Sequence, residues 1–159
     1  MKQRLLLLTG LSASLAGCFG YFPGRLKYWD ARMNELCAKD GGKRVFEIIY
    51  LPDEAYALLL NTRGELALPH EKSTPNKPSA VYERRLYETL REREPSVTRD
   101  ELQIVRRSDG KVLATKVTYS TAGGNFNPPT IAERGIRQRW CPNQELDRVF
   151  YSEVVKKTP

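Results

Sequence analysis

The dipeptide Asp109-Gly110 does most to constrain this chain. It sits between Leu102–Arg107 and Val112–Ser120, two runs rich in apolar and β-branched residues. Asp-Gly in that setting is a strong hairpin signal, because the tight turns that match strand twist need residues tolerant of positive φ. A two-residue turn pairs Arg106 with Leu113, Ile104 with Thr115 and Leu102 with Val117. Directly opposed residues share a face, so this register predicts one apolar surface made of Leu102, Ile104, Leu113, Val117 and Tyr119.

Other elements follow from periodicity. From Arg25 to Lys39, Leu26, Trp29, Met33, Leu36 and Cys37 recur at spacings of three and four, which predicts a helix with one apolar face. Gly41-Gly42 supplies its left-handed stop. Val45–Leu51, ending at Pro52, reads as a buried strand, and Asp53 as the N-cap of a short helix reaching about Leu60. Residues 61–80 carry Pro69, Pro75 and Pro78 and read as a loop, long for a compact domain. Tyr82–Glu94 fits both periods: Leu86 and Leu90 suit a helix, while strict alternation suits a strand, and the neighbouring strands favour the second. A second irregular stretch covers 123–129. Cys141-Pro142 cannot continue a helix, and Arg148–Val155 reads as a last strand. There are no internal repeats and no low-complexity segments.

The N-terminus is an address. Lys2 and Arg4 precede an apolar run from Leu5 to Ser14, too short for the ~20 residues a spanning helix needs but matched to a secretory leader. Leu15-Ala16-Gly17-Cys18 follows, and this tetrapeptide resembles the lipobox of bacterial lipoproteins. The resemblance implies a diacylglycerol on the Cys18 thiol, cleavage between Gly17 and Cys18, and acylation of the new amino group. It divides the chain into a signal peptide, residues 1–17, a lipid-anchored tether, 18–24, and one domain, 25–159. The competing reading is an ordinary leader with Cys18 there by chance. Each buried methylene contributes ~0.8 kcal/mol, so two or three acyl chains hold firmly where one does not. Phe19 stands where a retained inner-membrane lipoprotein of enteric-type bacteria has Asp, which points to the outer membrane. The tether extends at most ~25 Å, keeping the domain near the bilayer. Phe19, Tyr21 and Phe22 suit either the head-group layer or the domain's own core.

With Cys18 used for lipid, Cys37 and Cys141 remain in an oxidising compartment, where two thiols usually close. Two separate buried thiols are the alternative. The expected fold is α+β: an N-terminal helix packed on an antiparallel sheet of four to five strands, stapled by one disulfide. A chain of 159 residues with 40% hydrophobic and 28% charged residues suits one globular domain.

The raw charge of +7 overstates the basic character. Loss of residues 1–17 removes Lys2 and Arg4 and leaves 24 basic side chains against 19 acidic ones. The positives are interleaved with negatives, as in Arg91-Glu92-Arg93-Glu94, so no nucleic acid is expected as partner. A modest basic excess suits anionic lipid head groups.

Asn34–Gly42, Val45-Phe46-Glu47, the Ser108-Asp109-Gly110 turn and the late Cys141-Pro142 together resemble small, uncharacterised lipoproteins of Gram-negative bacteria, some of them encoded near mobile or prophage DNA. That resemblance implies location and fold and carries no reaction with it.

No catalytic signature is present. His70 is the one histidine, beside Glu71 in a polar loop, and reads as a solvated side chain. No set of ligands suits a structural zinc site, and no cofactor is expected. Gly-x-Ser-x-Gly is absent, and Gly123-Gly124 lacks a phosphate-binding pattern. Asp100-Glu101 or Glu92 and Glu94 could serve as paired carboxylates for sugar chemistry, which needs them ~5–9 Å apart, but acid pairs are common by chance. Two classes of function follow. One is a non-enzymatic binding or scaffold module held at the bilayer, contacting an envelope protein or the cell wall through loops 61–81 and 121–135; a prophage-type surface-exclusion lipoprotein is a narrower form of it. The other is an envelope hydrolase acting on peptidoglycan or glycan, which would need two acids converging in a cleft.

Overall fold

The computed structural model describes residues 27–73, 79–93, 95–122, 138–142 and 147–159. An N-terminal helix α1 (27–40) leads into β1 (Gly42–Val45), β2 (Ile49–Leu51) and the short α2 (Asp53–Ala57). Three long strands follow, β3 (Val81–Arg91), β4 (Ser96–Arg106) and β5 (Val112–Ala122). The chain ends with β6 (Gln138–Cys141), α3 (Asp147–Val154) and β7 (Val155–Lys157). The main sheet is antiparallel with five strands in the order β1-β5-β4-β3, and β6 also pairs with β5. One edge of β5 is divided, with β1 beside Ala114–Val117 and β6 beside Tyr119–Ala122. The architecture is therefore the expected α+β fold, with a parallel β2-β7 ribbon added beside the main sheet.

The disulfide joins Cys37 to Cys141 across 104 positions, with 5.9 Å between Cα atoms. It links the last turn of α1 to β6, near the point where β1 gives way to β6 along β5. Gly41 is needed there: a Cβ at this position would lie 2.6 Å from the Cys37 carbonyl oxygen and 2.8 Å from its Sγ. Gly42, at φ +103°, then turns the chain into β1.

The 102–120 hairpin forms, but not in the register expected from a two-residue turn. Arg106 N–H donates to the Lys111 carbonyl at 2.9 Å, enclosing a four-residue loop with Gly110 at φ +70°. Val105 pairs with Val112 and Ile104 with Ala114, which leaves Leu113 as an extra residue. Its carbonyl accepts the N–H groups of Phe46 and Glu47. Beyond this irregularity every pairing is one step from the expected one, and a one-residue step changes faces. Leu102 and Ile104 therefore lie with Ala114 and Leu113 in the main core, while Val117 and Tyr119 face α1 in a second cluster with Met33 and Cys37. The chain builds two cores on opposite faces instead of one apolar surface.

Three further elements differ from expectation. Val45–Leu51 is not one buried strand: it pairs with β5 only to Val45, leaves the main sheet, and forms β2 against β7, with Val45, Phe46, Ile48 and Tyr50 exposed. Asp53 does not cap α2, whose N-cap is Pro52, but lies in its first turn and pairs with Lys157 at 2.9 Å. Residues 148–154 form helix, not strand. β-branched and aromatic residues favour strand there, but Phe150, Tyr151 and Val154 bury one helical face against Leu59, Ile104 and Ala114, and tertiary burial overrides the local preference. The strand expected over Tyr82–Glu94 forms, as alternation indicated, but runs from Val81 to Arg91, with residues 92 and 93 outside it.

Candidate functional site

β3, β4 and β5 continue past the area covered by α3, and their side chains on that face change from apolar to polar. Cross-strand rows run Arg85–Leu102–Lys116 and Tyr87–Asp100–Thr118, and Thr98 opposes Ser120, which opposes Trp140. Together with Asp147 at the start of α3, these residues line a groove of about 280 Å³.

Its charged groups form one network. Asp147 accepts a short hydrogen bond from Arg85 and one of 3.0 Å from Lys116 Nζ. Arg85 also lies 3.9 Å from Asp100 and donates to the Tyr87 hydroxyl at 3.3 Å. Burial opposes the Arg85 charge, but the bonds to Tyr87 and Asp147 outweigh it and raise the guanidinium above its ordinary range. Burial also lifts the Asp100 carboxyl above the usual aspartate value; Arg85 opposes this shift and Asp147 adds to it. The four charges sum to zero. Lys116 and Thr118 are almost wholly covered, which leaves Asp147, Asp100, Arg85, Tyr87 and the Thr98 and Ser120 hydroxyls as the accessible polar surface.

The sequence-predicted residues are distributed differently. Cys18, Phe19, Tyr21 and Phe22 lie outside the described residues, as do Glu94 and Gly123-Gly124. Asp100 and Glu101 are adjacent on β4 and therefore point to opposite faces, so they are not a pair; Glu101 binds Arg99 at 2.7 Å. The acid that does share the groove with Asp100 is Asp147, 47 positions later, which no local pattern marks. His70 is not simply solvated. Its Nε2 lies 2.9 Å from the Glu83 carboxylate, which also accepts a short bond from the Tyr151 hydroxyl. Burial raises Tyr151 well above the usual phenol range, and the Glu83 bond reinforces it. Of loop 61–81, residues 66 and 68 are buried leucines of the core, and 69–71 run beside β3. Residues 74–78 and 123–135 lie outside the described residues.

Among the described residues, no group of three or more His, Cys, Asp or Glu side chains is placed to hold a metal ion, and no helix is long and apolar enough to cross a membrane. Comparison with protein families, with curated proteins and with solved structures found no match to this chain.

Proposed function

We propose that the chain is a lipid-anchored protein of the bacterial envelope, with the outer membrane as its destination, and that its domain is a non-enzymatic binding module taking polyhydroxylated cell-wall glycan in the groove. The anchor rests on the leader, from Lys2 and Arg4 to Leu15-Ala16-Gly17-Cys18. The binding reading rests on one observation: the strands that carry the main core also carry an open, charge-balanced groove flanked by Tyr87 and Trp140. Zero net charge disfavours phosphate or nucleic acid, whose binding depends on excess cations. A sugar offers hydroxyls to the acids and to Thr98 and Ser120, and its C–H faces to the two rings, which combine apolar area with little conformational freedom. Placement on rigid strands fixes these groups without a loop having to order.

A second reading has its own observation. Asp100 and Asp147 sit in one groove in different environments, one lifted by burial and the other bonded by two cations. Glycoside hydrolysis uses two carboxyl groups facing one cleft, one as acid and one as base or nucleophile. We favour binding because Asp147 is already occupied by Arg85 and Lys116.

The test uses the full-length protein extracted in detergent. Its intact mass should correspond to a chain starting at Cys18 plus acyl groups. The same material should sediment with purified peptidoglycan sacculi and release no reducing ends. An unprocessed chain without acyl mass would contradict the anchor. Failure to sediment would contradict the binding reading, and steady release of reducing ends would replace it with the hydrolase.

A further inference from the structure

The run Val45–Tyr50 concentrates exposed apolar surface. Of the ten large apolar side chains exposed among the described residues, four lie in it, with Phe46 61% and Tyr50 59% exposed beside Val45 and Ile48. In β2, Ile49 and Leu51 turn toward the main core, so Tyr50 between them points outward, next to Lys156 of β7. The acids around this strip are already held: Glu47 by Arg106 and Lys111, Glu153 by Lys43, and Asp53 by Lys157. Arg44 and Lys156 are exposed and enter no ion pair among the described residues, so the surplus charge at the strip is positive.

The strip and the start of α1 mark two ends of one edge of the sheet. Phe46 N–H donates to the Leu113 carbonyl, while Asp30 in the first turn of α1 bonds Arg139 of β6, which pairs with Thr121. Leu113 and Thr121 are eight residues apart on β5, about 27 Å at strand spacing. The nine residues 18–26 extend at most ~32 Å, so the tether is no longer than that edge needs. We infer that this edge lies along the bilayer, with Phe46, Ile48 and Tyr50 in the head-group layer and Arg44 and Lys156 against anionic phosphates. The inference rests on the anchored reading above. Aromatic and apolar side chains are favoured at that depth, and flanking cations gain from anionic lipid. A two-fold contact between copies would instead gather Arg44 and Lys156 of both chains and add like charge. The opposite edge, β3, then faces away from the lipid.

The experiment places full-length protein in vesicles of phosphatidylethanolamine and phosphatidylglycerol whose acyl chains carry bromine, which quenches nearby tryptophan. Phe46→Trp and Leu86→Trp alter exposed side chains on opposite edges of the sheet, and wild type gives the signal of Trp29 and Trp140. Relative to unbrominated vesicles, the emission added by Phe46→Trp should fall by half or more, and that added by Leu86→Trp should hardly change. With phosphatidylcholine as the only lipid, the loss from Phe46→Trp should shrink several-fold. Protein that floats with the vesicles while Phe46→Trp stays unquenched would overturn the inference and leave the strip for a protein partner. Equal quenching at 46 and 86, or equal quenching on the two lipid mixtures, would also overturn it. Protein that does not float with either mixture would contradict the anchor, and with it the inference.

Discussion

The same three strands carry two different regions on one face. At one end, Leu102, Ile104 and Ala114 are packed under Phe150 and Val154 of α3. A few residues along, Asp100, Thr118 and Ser120 stand in an open groove. Backbone pairing is continuous through both regions, so the contrast lies in the side chains and in where α3 stops. Asp147, the first residue of α3, marks the boundary and holds Arg85 and Lys116 from two different strands. The core supplies the rigidity, and the groove displays polar groups that a mobile segment would hold less well.

Five substitutions sharpen or break this contrast. The largest effect is expected from Phe150→Ala. Its ring is fully buried, and truncation should cost about 3–5 kcal/mol in denaturant unfolding; a loss below about 1 kcal/mol would show that α3 does not hold the core. Next, Cys37→Ser and Cys141→Ser should each cost about 2–5 kcal/mol, and the double variant no more than either. Unequal losses would argue that the two thiols act separately.

Asp147→Asn should reverse the ranking. Its stability cost should be about 1–3 kcal/mol, since Arg85 keeps Asp100 nearby while Lys116 loses a bonded acid. Sedimentation with sacculi should nevertheless fall sharply, whereas Phe150→Ala protein that remains folded should still bind. Equal binding by Asp147→Asn would move the ligand out of the groove.

The smallest effect concerns Asp100. Its folded carboxyl ionises above the ordinary value of 3.8, so ionisation costs stability. That cost is absent below pH 3.8 and fully present above the raised folded value. The stability of wild type relative to Asp100→Asn should therefore fall as pH rises through this window, read as melting temperature against pH. A relative stability that rises with pH would mean that Arg85 outweighs burial.

Much of the scaffold was legible in the sequence because it is local. Met33 and Cys37 lie one helical turn apart, Tyr82–Arg91 alternates, and Asp109-Gly110 turns the chain between two apolar runs. The hairpin register was not legible: loops of two and four residues are both compatible with the same Asp-Gly, and the choice is made by Gly110 together with the bonds from Phe46 and Glu47 to Leu113. Helix α3 was missed because Val149, Phe150 and Tyr151 favour strand until the core they fill is known. The groove was the least legible part. Arg85 and Asp147 are 62 positions apart, and Lys116 and Asp147 are 31 apart; only sheet register and the start of α3 bring them together. The Asp100-Glu101 pair failed for the opposite reason, since adjacent residues on a strand face apart.

The most direct test of the groove uses its own fluorophore. The chain has two tryptophans, Trp29 on α1 beneath the Arg91 guanidinium and Trp140 in the groove. In Trp29→Phe protein, soluble peptidoglycan glycan fragments should shift the Trp140 emission in a saturable way, and Asp147→Asn in the same background should abolish the shift. A Trp140 signal unmoved by glycan, in protein that still sediments with sacculi, would contradict the groove as the binding site.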